Sequence, residues 1–233
     1  PPSGIKASAM YKNVQVLGDL DSNEFTQLML AMTSWVSPKE GCAYCHDAAN
    51  LADDSKYTKV VARRMIQMTQ HINADWSAHV KETGVTCFTC HRGQPVPANL
   101  WYSNDGYTPR VVYAGYKAGQ NAPADSVALA SLPVDPFSPL LRDSGQIRVE
   151  SPHPLPAIGV MTPDIKQTEQ TYGLMMHVSD ALGVNCNFCH NSRHFANWQE
   201  STPQRTTAWH GIQMARKLNT DYLDPLKATL PAN

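Results

Sequence analysis

All six cysteines of the 233-residue sequence fall in Cys-x-x-Cys-His pentapeptides: Cys42-Ala43-Tyr44-Cys45-His46, Cys87-Phe88-Thr89-Cys90-His91 and Cys186-Asn187-Phe188-Cys189-His190. That spacing is the attachment signal for c-type haem. Two thiols about one helical turn apart form thioethers to the porphyrin vinyls, and the His that follows ligates the iron from one face. A lone Cys-x-x-Cys pair also suits a thioredoxin-like redox centre or half of a zinc site. Zinc needs two pairs close enough to share the ion, and it makes no demand for His in fifth place. Structural disulfides would not repeat the His either. Three copies with no cysteine left over favour haem. The expected cofactor is haem c, three covalently bound. Cys42, Cys45, Cys87, Cys90, Cys186 and Cys189 are the attachment thiols, and His46, His91 and His190 the proximal iron ligands.

An electron-transfer haem ordinarily has a ligand on both faces, Met raising and a second His lowering the potential. Helices ahead of each motif must supply it. Residue patterning predicts a helix over 23–35 that carries Met29 and Met32 on one face. A helix over 60–80 offers Met65, Met68, His71 and His79, and one over 168–182 offers Met175, Met176 and His177. Methionine on a helix is more often core filler. A Met-bearing helix ahead of every motif shifts the reading to one Met ligand per helix. In a continuous helix, the 14 residues from Met65 to His79 would span roughly 21 Å, too far for one iron. Either one of the two serves another haem, or His79 is a helix-end histidine.

Composition narrows the rest. Only 17% of residues are charged and the net charge is −1, which leaves no global basic footprint for nucleic acid. No run of 18 apolar residues occurs, so no transmembrane segment is expected. The sequence opens Pro1-Pro2-Ser3-Gly4 without a signal peptide, yet this mode of haem attachment implies export; the expectation is a mature or trimmed form. Eleven of the 17 prolines lie between Pro95 and Pro163. That stretch holds two strand-like runs, Arg110-Val111-Val112-Tyr113 and Gln146-Ile147-Arg148-Val149, among turn signals. The expected fold is mainly α, with long irregular Pro-rich segments and a small β element. Residues 1–94 form a first haem-binding half with two haems, 95–163 a connecting segment, and 164–233 a second half with one haem. The halves read as pseudo-repeats. Residues 65–76 and 211–222 align with Ile, Gln, Met, Asn and Asp in register and Trp facing Tyr. Cys87 follows Trp76 by 11 residues, and the same step from Tyr222 reaches Asn233, so a fourth motif is expected to begin where the chain stops.

Several stretches carry a resemblance. They are Tyr11-Lys12-Asn13-Val14-Gln15-Val16-Leu17-Gly18, Trp35-Val36-Ser37-Pro38 before Gly41-Cys42, Val60-Val61-Ala62-Arg63-Arg64-Met65, Gly84-Val85-Thr86-Cys87 and His91-Arg92-Gly93. In the second half they are Leu174-Met175-Met176, Ser201-Thr202-Pro203-Gln204-Arg205 and Ala208-Trp209. With the three motifs, the sequence resembles the cytochrome c subunit of purple-bacterial photosynthetic reaction centres, usually a tetrahaem protein. The resemblance covers both haem-bearing halves and not the Pro-rich middle. It implies His/Met ligation of three haems: Met29 with His46, Met65 with His91, and Met175 with His190. It also implies that His79 reaches a fourth, bis-His haem. Gly211 stands where Met65 stands and cannot ligate. The fourth attachment motif is missing, so the chain is either a trihaem variant or one whose native form extends past Asn233. The lipid-modified cysteine and leading segment of many family members are missing too.

The implied function is electron transfer: re-reduction of the photo-oxidised bacteriochlorophyll special pair with electrons from a soluble periplasmic cytochrome c or high-potential iron–sulfur protein. The implied partners are the reaction-centre L and M subunits, with H in the complex. The implied place is the periplasmic face of the photosynthetic inner membrane, peripheral or lipid-anchored. The chain is expected to be an electron carrier and not an enzyme; the alternatives are a standalone periplasmic shuttle and a reductase subunit. Arg205, after the third motif, either raises that haem's potential or is a surface arginine. Arg63, Arg64 and Arg92 either pair with haem propionates or are solvated. The aromatics Trp35, Trp198 and Trp209 are expected to pack against haem faces. A pyridine haemochrome titration combined with intact mass separates the two readings of the missing fourth motif: three haems per 233-residue chain support a trihaem unit, and a heavier native chain with four shows that the native form extends past Asn233.

Overall fold

Local signals start and stop the helices that carry the motifs. The structure, a computed structural model, describes residues 1–98, 123–147 and 163–231. After the single turn α1 (Ala7–Met10), Asp21 begins α2 (Ser22–Val36): its carboxylate accepts the Asn23 N–H at 2.9 Å, the usual service of an N-cap aspartate. Phe25, Leu28, Met29, Met32 and Trp35 recur at helical spacing along α2. Ser37 N–H closes on the Thr33 carbonyl and Pro38 follows, which ends the helix. The first motif lies in a tight turn, Gly41–Tyr44, and α3 (Tyr57–Asp75) follows, burying Lys59, Ile66 and Ile72.

The helix predicted over 60–80 is broken. Trp76 leaves helical geometry (φ −114°, ψ 26°), and α4 (Ser77–Val80) is a separate turn. Side chains at the end of α3 take other partners: Trp76 Nε1–H donates to His71 Nε2 at 3.2 Å, and Asn73 reaches forward to Val85. Met65 and His79 therefore sit on different elements, and the spacing along one axis does not apply. The second motif forms α5 (Cys87–His91). The third lies in a turn, Cys186–Phe188, after α6 (Pro163–Leu182); then come α7 (Pro203–Leu218), a π-type turn Asn219–Leu223 and α8 (Asp224–Leu226).

The chain divides into two compact units, Pro1–Leu100 with Lys217–Asn233, and Trp101–Arg216. Within the first, α2 packs on the first-motif turn and on α5, while α3 packs on α5 and on the Asn219–Leu223 turn. Within the second, α6 packs on the turns Asp125–Val127 and Ser138–Arg142. Phe137, Leu140 and Leu174 form its buried cluster, with Leu141, Ile147, Met175 and Val178 against it. The described residues are mainly helical. Among them there is no strand, only an isolated antiparallel bridge between Lys6 and Asp21. Of the two strand-like runs, residues 110–113 lie outside the described residues. Of the run 146–149, residues 148–149 also lie outside the described residues; Gln146 and Ile147 have no regular structure, and Ile147 packs against the Phe137 cluster. No helix among the described residues is long and apolar enough to cross a membrane.

One clamp sets where the second motif begins. Asn73 Nδ2–H donates to the Val85 carbonyl at 2.9 Å, and its Oδ1 accepts the Val85 N–H at 2.7 Å. Gly84 must pass beneath that amide: its φ is +61°, and a Cβ there would lie 2.7 Å from Asn73 Oδ1. Substitution G84A meets both obstacles, and chemical denaturation of the holoprotein should show a loss of about 1–2 kcal/mol from the backbone conformation alone.

Candidate functional site

Each motif folds as a single helical turn. His46 N–H donates to the Cys42 carbonyl at 2.9 Å and His190 N–H to that of Cys186 at 2.9 Å. In α5, Thr86 and Thr89 cap each other's backbone N–H groups. In each case two thiols and an imidazole project from one turn, and all six thiols are unpaired. Burial pushes the Cys45, Cys87 and Cys189 thiols up from their ordinary pKa, which keeps them protonated at neutral pH.

The imidazoles share one arrangement. His46 Nδ1 lies 2.8 Å from the Leu51 carbonyl, His91 Nδ1 3.0 Å from that of Gln94, and His190 Nδ1 3.1 Å from that of Phe195. A carbonyl only accepts, so in each case Nδ1 carries the proton and donates it. Nε2 is then left with its lone pair, the state a metal-binding nitrogen needs. Burial also pulls His190 down in pKa, outweighing the bond to Phe195, and favours the neutral ring. Phe195 stacks on that ring, centroids 4.2 Å apart and planes 5° apart.

Polar side chains hold the loops that present these carbonyls. Arg205 Nη1 reaches the carbonyls of Phe195 (3.3 Å) and Asn197 (3.0 Å) and Ser201 Oγ (2.6 Å), and its guanidinium lies 4.1 Å from the Trp198 ring centroid. Lys59, buried in α3, donates to the carbonyls of Leu51 (2.9 Å) and Asp53 (2.8 Å) and pairs with Asp54 at 3.1 Å. Thr58 Oγ1–H donates to the Tyr44 carbonyl and Thr202 Oγ1–H to that of Phe188, both at 2.6 Å. Tyr44 and Phe188 hold the same place in their motifs. Sequence reasoning missed Lys59, Thr58 and all three carbonyls. A carbonyl has no residue signature, but a lysine on the face of α3 that also buries Ile66 was a visible anomaly.

The predicted distal ligands are placed as follows. Met29 and Met32 on α2, Met65 on α3 and Met175 on α6 are all partly buried. Thr33 ties the Met29 turn to the first motif: its hydroxyl donates to the Met29 carbonyl at 2.9 Å and lies 4.0 Å from Cys42 Sγ. Thr69 makes the same bond to the Met65 carbonyl at 2.9 Å. Met175 packs against the Phe137 cluster, and His177 donates through Nδ1 to the Ser126 carbonyl at 3.0 Å. His71 leaves the ligand set. Its Nδ1 pairs with Asp75 at 2.7 Å and its Nε2 accepts from Trp76, so both nitrogens are engaged. His79 is partly buried on α4. Arg63 is committed to Asp54 through two bonds of 2.8 and 2.9 Å, and Arg64 to the Asp221 carbonyl and the Tyr222 ring.

The donor set fits haem c. Paired free thiols stand one turn from an imidazole whose Nε2 is unprotonated, three times over. Large apolar side chains in or beside the motifs, Phe88, Phe188, Phe195 and Trp198, remain exposed and suit a flat apolar ring. The family model described as "Photosynthetic reaction centre cytochrome C subunit" matches residues 1–233. The chain belongs to the reaction-centre cytochrome c subunit family. It is 52% identical over 231 residues to the photosynthetic reaction center cytochrome c subunit of Rubrivivax gelatinosus, covering 99% of this chain and 63% of that protein. The subunit of Thermochromatium tepidum is 51% identical over 231 residues, covering 99% and 56%. That of Roseobacter denitrificans is 43% identical over 237 residues, covering 97% and 62%. The chain thus spans about three-fifths of the length of these relatives. Family membership implies covalently bound haem c.

Within this family member, Arg205 is the side chain most heavily engaged with a post-motif loop. Replacing it by Met (R205M) removes charged donors to several acceptors, and urea denaturation of the holoprotein should register a loss of about 1.5–3 kcal/mol.

Proposed function

We propose that this chain is an electron-relay unit that re-reduces the photo-oxidised bacteriochlorophyll pair of a photosynthetic reaction centre. The three imidazoles, each held by a carbonyl with Nε2 free to bind iron, carry the reading, and family membership supports it. Haem c supplies the one-electron couple when bound. The chain's own residues do the rest. Cys42 and Cys45, Cys87 and Cys90, and Cys186 and Cys189 attach three haems, and His46, His91 and His190 ligate from one face. Met29, Met65 and Met175 ligate from the other. The contact of Thr33 with Cys42, which brings the Met29 turn to the first motif, supports the first of these pairings. The packing of α3 on α5 supports the second. His79 is the ligand for a fourth, bis-His haem, and Arg205 raises the potential of the third.

Two haem-bearing halves, 1–94 and 164–233, are pseudo-repeats joined by the Pro-rich segment 95–163. The matching Thr58 and Thr202 bonds, each 14 residues from their acceptor, support the repeat. The donor is a soluble periplasmic cytochrome c or a high-potential iron–sulfur protein. The chain sits on the L and M subunits, with H in the complex, at the periplasmic face of the photosynthetic membrane. It carries electrons and catalyses no reaction of its own. Flash excitation of reduced membranes containing the chain should bleach the α-band of a c-type haem in step with recovery of the pair. Recovery at an unchanged rate with every haem still reduced would overturn the proposal.

A further inference from the structure

Lys59 is an unusual side chain in this structure. It is a lysine buried on a helix, and among the described residues its side-chain partners lie in the segment just after the first motif: the carbonyls of Leu51 and Asp53 and the carboxylate of Asp54. The Leu51 carbonyl is also the acceptor of His46 Nδ1–H. One oxygen thus receives a proton donor from the proximal imidazole and another from an ammonium group. The second unit holds the same arrangement: the Phe195 carbonyl accepts from His190 Nδ1–H and from Arg205 Nη1–H. Lys59 and Arg205 stand 146 positions apart, the same step that relates Met65 to Gly211 in the aligned segments. The two carbonyls and the two motifs stand 144 positions apart, so the cations are not in strict register with them. In each unit, however, a cation on the helix after the motif meets the carbonyl that accepts from the motif's imidazole.

We infer that Lys59 is a positioning residue for the first motif, acting through the Leu51 carbonyl to limit how much electron density the His46 ring passes to whatever its Nε2 binds. An oxygen that already accepts from a cation is a weaker acceptor for a second donor. The Nδ1–H bond is then less polarised, and the ring has less imidazolate character. A ring of that kind stabilises the more positive state of a bound iron less. Lys59 also adds one positive charge beside the ring, and that charge acts in the same direction. Asp54 opposes it: its carboxylate, held well below the usual carboxylate range chiefly by the Arg63 bonds, stays ionised against Lys59. The inference rests on the reading that His46 ligates a haem.

Potentiometric titration of the holoprotein, resolved haem by haem, tests it. In K59M the midpoint of one haem should fall, its reduced-to-oxidised ratio dropping about tenfold at the original midpoint, or about 59 mV for one electron. In K59R the midpoint should return to within a threefold change, and the other haems should stay in place in both variants. A purely structural role for Lys59 would lower stability without a potential that tracks the cation. No shift in K59M, or no rescue in K59R, overturns the inference. Should K59M fail to take up haem, D54N decides. Freed of its counter-charge, Lys59 should raise the midpoint of a single haem, and an unmoved midpoint overturns the inference. Peptide mapping separates the two levels. Haem on the peptide carrying Cys42 and Cys45 with an unmoved potential sinks the inference alone, whereas no haem on that peptide sinks the underlying reading as well.

Discussion

An imidazole binds a metal through a nitrogen that carries no proton, so something must hold the ring's one proton on the other nitrogen. In this chain a backbone carbonyl does so for His46, His91 and His190. Much else near the motifs serves that bond. The segment after each motif must turn back so that one particular carbonyl faces the ring. A carbonyl in a loop holds its direction only if its neighbours are tied down, and Lys59 and Arg205 do that in the first and third cases. Thr58, on the helix of Lys59, and Thr202, just before the helix of Arg205, fix the motif turns. The tautomer of each ring, and with it the lone pair on Nε2, is thus set by groups that never touch Nε2.

The same economy runs through the rest of the structure. The described residues bury few large apolar side chains, and those in the second unit cluster around Phe137, Leu140 and Leu174. Side chains that clasp the backbone do much of the positioning. Asn73 holds Val85, Arg64 reaches the Asp221 carbonyl, and Arg216 donates to the Leu140 and Gly145 carbonyls. Such contacts are directional, so they set angles as well as distances, which a loosely packed apolar surface does not. Placing covalently bound haem c needs orientation more than bulk, and directional contacts of this kind supply it.

Parts of this were legible in the residues. The Cys-x-x-Cys-His motifs pointed to covalently bound haem c, and family membership implies the same cofactor. The long helices followed in outline from residue patterning, and the structure adds Asp21 as the N-cap of α2 and Pro38 just beyond its end. The break at Trp76 did not show. The 60–80 stretch keeps helical residues throughout, and it stops because Asn73 and Trp76 find partners in space that the pattern does not reveal. His71 was for the same reason an open candidate until Asp75 and Trp76 were seen to occupy its nitrogens. Val-rich and Ile-bearing runs suggested strands in the middle of the chain. Where the structure describes part of such a run, at Gln146 and Ile147, there is no strand and Ile147 packs against the Phe137 cluster. Carbonyl acceptors such as Leu51 O were beyond any residue-type reading.

The distance in sequence from ring to acceptor has its own consequence. It is five residues for His46 and His190 and three for His91. These intervals work as rulers. Within them, most side chains can drift, since the carbonyl that matters is common to every amino acid. A single inserted or deleted residue is another matter, because it would swing a different oxygen, or none, toward the ring. Over evolutionary time these short stretches are therefore free in spelling but fixed in length. Gaps in an alignment of relatives should avoid them even where identity is lost.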